Sequence, residues 1–265
     1  MLTPGEITKK WETIADTKAE LPPLRCFLLA VLAGMYIALG AVGYTIVQAS
    51  VEGGMGRLLG ACVFPAGLIL VVLAGGELFT GNCLMAGPAV NGRVKWRRVM
   101  RNWGVVYLGN MLGALLMACI VLLSGMLENA GLALAAAGIA ADKCSLPFAD
   151  ALLRGFACNI LVCGAVWMAS GADGAGGKAA CCFFPVMLFV LCGFEHSVAN
   201  MYYVPLGLVA YYAESPLISQ AVRAVDHFCV LTPGHYLLNN LLPVTLGNIL
   251  GGAGLAAVYA RVYHD

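Results

Sequence analysis

Two short stretches of this chain share one frame, 118 positions apart: Gly75-Gly76-Glu77-Leu78-Phe79-Thr80-Gly81-Asn82 and Gly193-Phe194-Glu195-His196-Ser197-Val198-Ala199-Asn200. Both read Gly-x-Glu-x-x-x-small-Asn, and each interrupts a long apolar run. A carboxylate and an amide inside such a run are costly in lipid unless the helix breaks there around a cavity. Helix breaks at matching points of two halves place a pathway near the bilayer midplane. The frame therefore demands a membrane, a helical fold and two polar breaks, with His196 inside one of them.

Composition agrees with that demand. Apolar residues make up 61% of the chain and charged ones 11%, and the mean hydropathy is +0.85, outside the range of soluble domains. Six runs are long enough to cross a bilayer at about 1.5 Å per residue. They are Cys26–Gln48, Leu58–Val90 (broken), Trp103–Leu123, Phe148–Ser170, Ala179–Tyr212 (broken) and Tyr236–Tyr263. A net charge of +1 without a basic groove predicts no nucleic-acid partner. The 11 cysteines lack metal-ligand spacing and read as small apolar fillers. With no phosphate loop and no nucleophile–base set, the chain reads as a non-enzyme with no cofactor or metal.

Residues 1–22 are polar and show no cleavable signal. Thr3-Pro4-Gly5-Glu6, then Ile7, Trp11, Ile14 and Ala15, predict a capped amphipathic helix ending before Pro22-Pro23. It is expected to lie along the cytoplasmic surface, as an interfacial helix, or to pack on a neighbouring subunit. With both termini inside, Lys9, Lys10, Lys18, Arg25, Arg93, Lys95, Arg97, Arg98, Arg101, Lys178 and Arg261 fall on the cytoplasmic side, against Arg57, Lys143 and Arg223 outside. Eleven against three sets that orientation. Arg154 is left inside the fourth span, to pair with a carboxylate or to snorkel. The basic run 93–101 can also touch anionic lipid.

The repeat extends past the breaks. Pro23 through Val42 aligns with Pro147 through Val166, and Asn102…Leu108-Gly109-Asn110-x-Leu112-Gly113 with Asn240…Leu246-Gly247-Asn248-x-Leu250-Gly251. Repeat A spans about 23–125 and repeat B about 147–263, within one transmembrane domain over 1–265. Three spans per repeat is odd, so the halves are inverted about an axis in the membrane plane. The paired glycines, four apart, suit close helix packing.

His196 is the one histidine within a span; His227, His235 and His264 fall in loops or near a terminus. Desolvation disfavours imidazolium, so a buried histidine is expected neutral near pH 7, still able to donate a hydrogen bond or hand on a proton. Glu77 and Glu195 are expected to support the breaks by accepting from freed backbone amides, and Asn82 and Asn200 to satisfy loop backbone in the same way. Lys143 taken alone reads as an ordinary solvated lysine.

The stretch Gly193–Met201 followed by Pro205 resembles the formate/nitrite transporter family. Gly76–Asn82 is similar to that family's other signature, and Asn159-Ile160-Leu161-Val162-Cys163…Trp167-Met168 to its fourth helix. The likeness runs from about Pro23 to the C-terminus. It implies an all-α membrane protein with an aquaporin-like protomer of six transmembrane helices, spans 2 and 5 broken. It further implies a homo-pentamer with one pore per subunit, in the bacterial cytoplasmic membrane. The implied activity is passage of small anions of weak acids: formate first, with nitrite or hydrosulfide as alternatives. By the same resemblance Leu68 and Phe189 form narrow constrictions, with Phe64, Leu78, Phe79 and Phe194 as further apolar lining. Thr80 faces the central histidine, Asn248 reaches the same chamber, and Lys143 is the vestibule lysine that attracts the anion. The first motif reads Glu-Leu-Phe-Thr-Gly-Asn, a variant that leaves the choice among these anions open. A neutral-solute channel of aquaporin type would not need Lys143 or His196, and neither Asn-Pro-Ala box is present.

Overall fold

The structure is a computed structural model that describes residues 1–212 and 226–263; Arg223 and His264 lie outside the described residues. Among the described residues six helices are long and apolar enough to cross a membrane: Pro23–Ser50, Gly53–Gly75, Trp96–Leu123, Phe148–Gly171, Gly174–Cys192 and Pro233–Val262, called spans 1 to 6. Spans 2, 3 and 5 begin five or more residues earlier than their apolar cores predict. Spans 1 and 4 start behind Pro22 (φ −56°, ψ 137°) and Pro147 (φ −57°, ψ 147°), whose fixed φ sets the entry of the first turn. Span 1 turns Leu24, Leu28, Leu32 and Leu39 outward while Ala30, Ala33 and Ala41 are buried. Leucines outward and alanines inward is the pattern of a helix whose solvent is lipid, where close backbone approach replaces the hydrophobic drive.

Both breaks are present. Span 2 ends in a π turn, Val71–Gly75, with Gly75 at φ +87°, and resumes as short helices Phe79–Asn82 and Ala86–Val90. Span 5 ends at Cys192, where Gly193 at φ +70° closes the helix, and resumes as Ser197–Tyr212. The Phe194 N–H donates to the Phe189 carbonyl at 3.0 Å, the six-to-one bond of a left-handed glycine cap.

Span 3 packs on span 1 and span 6 on span 4. A Cβ on Gly113 would overlap the Val31 carbonyl, and one on Gly247 or Gly251 the carbonyls of Leu152 or Phe156. Here the repeat register differs from the one read in sequence. The Glu77 N–H donates to the Leu29 carbonyl at 3.2 Å, and the Glu195 N–H to the Arg154 carbonyl at 3.3 Å. Asn110 Nδ2 donates to the Ala30 carbonyl, and Asn248 Nδ2 to the Gly155 carbonyl. Leu29 thus corresponds to Arg154, so Pro22, rather than Pro23, matches Pro147. Leu- and Ala-rich helices align almost as well one residue out, and the backbone bonds decide between registers.

The N-terminal helix, Pro4–Glu20, carries the expected capping box between Thr3 and Glu6. It docks on its own chain rather than lying free on the surface. Ile7, Trp11, Ala15 and Ala19 are buried. Trp11 Nε1 donates to Ser170 Oγ at 3.1 Å, Lys10 Nζ to the Ser170 carbonyl at 2.7 Å, and Leu2 N to the Gly171 carbonyl at 2.9 Å. The segment between the two repeats holds a further helix, Ala130–Cys144, capped by Asn129. It packs against the second half of span 5 and against Phe228 and Leu231.

Candidate functional site

Each break is held by the same four-residue device. On the side of the N-terminal helix, Lys18 Nζ pairs with Glu77 Oε1 at 2.7 Å. Asn82 Nδ2 donates to Glu77 Oε2 at 2.7 Å and to Asn102 Oδ1 at 2.8 Å, and Asn102 Nδ2 returns to the Lys18 carbonyl at 3.3 Å. On the opposite face, Lys143 Nζ pairs with Glu195 Oε1 and Oε2 at 2.9 and 3.1 Å. Asn200 Nδ2 donates to Glu195 Oε2 at 2.7 Å and to Asn240 Oδ1 at 2.8 Å, and Asn240 Nδ2 returns to the Lys143 carbonyl at 3.0 Å. Both carboxylates are nearly sealed from solvent, Glu77 at 6% and Glu195 at 4% exposure. A buried carboxylate persists only when paired and hydrogen-bonded, and these are both.

The division of labour differs from the expected one. The carboxylates accept from lysine and asparagine side chains, while two other asparagines take the freed backbone. Asn110 Oδ1 accepts from Phe79 N at 2.9 Å and Asn248 Oδ1 from Ser197 N at 2.9 Å. Their amides donate to the Glu77 and Glu195 carbonyls at 2.9 and 3.0 Å. With both ends committed to backbone, Asn248 ties the break in place instead of facing the chamber. Asn82 and Asn200 likewise brace the carboxylates. Lys18, Asn102, Asn110 and Asn240 were not singled out for these roles from sequence, though the repeat named the three asparagines. Glu77 standing where Glu195 stands was the available signal that a second lysine was needed.

Between the braces lies a narrow chamber of about 10 Å³, bounded by Phe64, Leu68, Leu78, Phe189 and His196 among others. That is room for about one water at most. The Phe64 and Phe189 rings meet edge to face at 5.7 Å, and Phe189 stacks on the His196 ring at 5.9 Å and 21°. Phe64, Leu68, Leu78 and Phe189 therefore line this narrow chamber together. Phe194 lines the wider cavity beyond it, about 510 Å³, with Lys143, Glu195, Arg57 and Arg154. A second cavity of about 210 Å³ lies on the N-terminal helix side, reached past Leu78 and lined by Trp11, Lys18 and Lys178. Phe79 is elsewhere: its ring packs on Tyr107 at 4.9 Å and Trp103 at 6.4 Å. It anchors the resumed half of span 2 and does not line the chamber.

His196 is 3% exposed. Its Nδ1 accepts from the Ala199 N–H at 3.1 Å. In the neutral ring the proton therefore sits on Nε2, which lies 2.9 Å from Thr80 Oγ1 and donates to it. Among the described residues nothing else engages the Thr80 hydroxyl. Its backbone carbonyl accepts from Asn159 Nδ2 at 3.2 Å and Cys163 Sγ at 3.2 Å. In the two frames His196 occupies the place of Leu78, and Ser197 that of Phe79. One half thus supplies an apolar residue and the other a titratable one at the same point.

The sequence profile of the formate/nitrite transporter family matches residues 5–262. The formate channel FocA of Haemophilus influenzae is 39% identical over 267 aligned residues, covering 98% of this chain and 94% of its own length. The formate channel FocA of Escherichia coli K12 is 38% identical, covering 97% and 93%. Among solved structures, one described as a pentameric formate channel with formate bound superposes with a TM-score of 0.80 at 37% identity, covering 91% of this chain and 96% of its own. An FNT family ion channel gives a TM-score of 0.83 at 25% identity, covering 98% and 99%. Six spans, two braced breaks and a whole-length match lead to one assignment: this multi-pass integral membrane protein belongs to the formate/nitrite transporter family.

Proposed function

We propose that this protein is a channel for small monovalent anions of weak acids, with formate as its substrate, working as a homo-pentamer with one pore per protomer. Its termini lie in the cytoplasm of a bacterial cell, the N-terminal helix facing inward, and it performs transport rather than catalysis. The observation that carries this reading is the narrow chamber holding His196 between two wider cavities. The full-length likeness to named formate channels supports it.

An unpaired anion in a slot lined by Leu68, Leu78, Phe64 and Phe189 costs many kcal/mol, and neutralising it removes that cost. The anion gathers in the outer cavity, whose lining includes Lys143, Arg57 and Arg154. As it sheds water against Phe194 and Phe189, desolvation favours its protonated form. The proton comes from water, directly or through a His196 ring that has first taken up a second proton, because the neutral ring can give the anion only a hydrogen bond from the Nε2–H that rests on Thr80. The neutral acid then passes the constriction and ionises in the opposite cavity. Glu77, Glu195, Asn82, Asn200 and Asn248 keep the breaks open to this path.

The test is flux into proteoliposomes of formate, nitrite and hydrosulfide, at about pH 5.5 and about pH 7.5, so that the proton supply differs between the two arms. Wild-type protein is expected to favour formate and to carry it faster at the lower pH; His196→Asn is expected to lose that rise. Equal passage of all three anions, with no effect of His196→Asn, would overturn both the substrate and the histidine's role.

A further inference from the structure

The outer cavity holds more positive charge than its lysine supplies. Lys143 is neutralised, since both Glu195 oxygens lie within 3.1 Å and its ammonium stands over the Tyr203 ring at 5.3 Å. Two other cations line the same cavity, Arg57 and Arg154. Both are exposed, and neither has a carboxylate within 4.0 Å among the described residues. The other acid in the lining, Asp142, pairs with His227 at 3.0 Å.

The two arginines flank the path to the constriction. Arg57 Nη2 lies 2.7 Å from where a Cβ on Gly193 would stand, so the guanidinium covers the backbone just before Phe194. The Arg154 carbonyl receives the Glu195 N–H at 3.3 Å, which places that residue at the other side of the same turn. A guanidinium is a planar fork of donors that matches two coplanar oxygens, whereas a compact anion uses it only as a point charge.

We propose that Arg57 and Arg154 form an outer docking site for planar two-oxygen anions, carboxylate above all, which loads the constriction and favours such anions over hydrosulfide or chloride. The proposal rests on the reading of the chain as an anion channel. It assigns capture to these arginines and leaves Lys143 chiefly to brace Glu195.

Two measurements test it. In proteoliposomes at low salt, Arg57→Gln and Arg154→Gln are each expected to raise the half-saturating formate concentration roughly two- to five-fold, as exposed charges do. Saturated formate flux and hydrosulfide flux should hold, and added salt should erase the difference. Arg154→Lys should keep the salt response but lose the preference for formate over hydrosulfide. Separately, arginine labelling by phenylglyoxal, read by mass spectrometry on wild-type protein, should slow at Arg57 and Arg154 in formate but not in chloride of equal ionic strength. Unchanged half-saturation together with no protection overturns the proposal, as does an equal fall in saturated flux of both substrates. Protection in a protein that carries no formate would instead overturn the channel reading and keep the docking site.

Discussion

Replacing Lys143 by methionine keeps most of the side-chain volume and removes one charge, and its cost can be worked from the contacts. Among the described residues Glu195 Oε1 accepts from Lys143 alone, while Oε2 also receives Asn200 at 2.7 Å and Asn240 at 3.4 Å. Lys143→Met therefore strands half of a carboxylate that is 4% exposed. Removing one partner of a buried pair costs about 3–5 kcal/mol. The ammonium's place over Tyr203 adds about 0.5–1 kcal/mol. In a chain of this length each kcal/mol lowers the unfolding midpoint by roughly 2–4 °C, so a fall of roughly 7–24 °C is expected. The double variant Lys143→Met, Glu195→Gln leaves no buried charge and costs only the imperfect hydrogen bonds of the new amide, about 1–3 kcal/mol. It should thus unfold at a higher temperature than the single variant. The assay is intrinsic fluorescence of the detergent-solubilised protein during a thermal ramp, at one scan rate for all variants. A single variant as stable as wild type, or a double variant less stable than the single one, would refute the view that Lys143 exists chiefly to neutralise Glu195.

Further outcomes follow from other contacts. Lys18→Met should behave in the same way on the opposite face, and it should also loosen the N-terminal helix, read as faster limited proteolysis before Pro22. Phe79→Ala should cost about 3–5 kcal/mol by emptying the pocket against Trp103 and Tyr107, with formate flux per folded protein unchanged, whereas Phe189→Ala should raise leak of ions through the constriction. Gly113→Ala and Gly251→Ala should each push a span pair apart at about 1–3 kcal/mol, visible as lower yield of the folded protein by size-exclusion chromatography.

Much of this architecture was legible because lipid is an unforgiving solvent. A glutamate, an asparagine and glycines within an apolar run have few structural explanations, and the two breaks at Gly75 and Gly193 fell where the repeated frame put them. The six spans followed from length and hydropathy. What failed to show was anything decided by packing between helices. The register of spans 1 and 4 slipped by one because leucine and alanine patterns barely distinguish neighbouring offsets. The helix Ala130–Cys144 was missed because it is shorter than a span and almost uniformly small and apolar, so its buried face, Leu132 through Cys144, has no polar face to stand out against. Phe79 and Phe194 looked alike as aromatics beside the motifs, yet one points into Trp103 and the other into a cavity. Asparagines raised the same difficulty. Asn110 and Asn248 were visible as a repeated pair, but whether an amide meets backbone, carboxylate or pore depends on which helix crosses it.

The matched braces have a consequence for how such a protein sits in a bilayer. Lys18, Glu77, Asn82 and Asn102 on one face mirror Lys143, Glu195, Asn200 and Asn240 on the other, with closely similar distances. A frame built alike from either side has no top of its own. Asymmetry enters through what is hung on it: a histidine in one half against a leucine in the other, a docked helix at one mouth, and at the other two guanidiniums with no carboxylate partner among the described residues. Such a frame is what the doubling of a three-helix unit, stable either way up, would leave behind. Its asymmetry is then the work of a few residues carried on a symmetric skeleton.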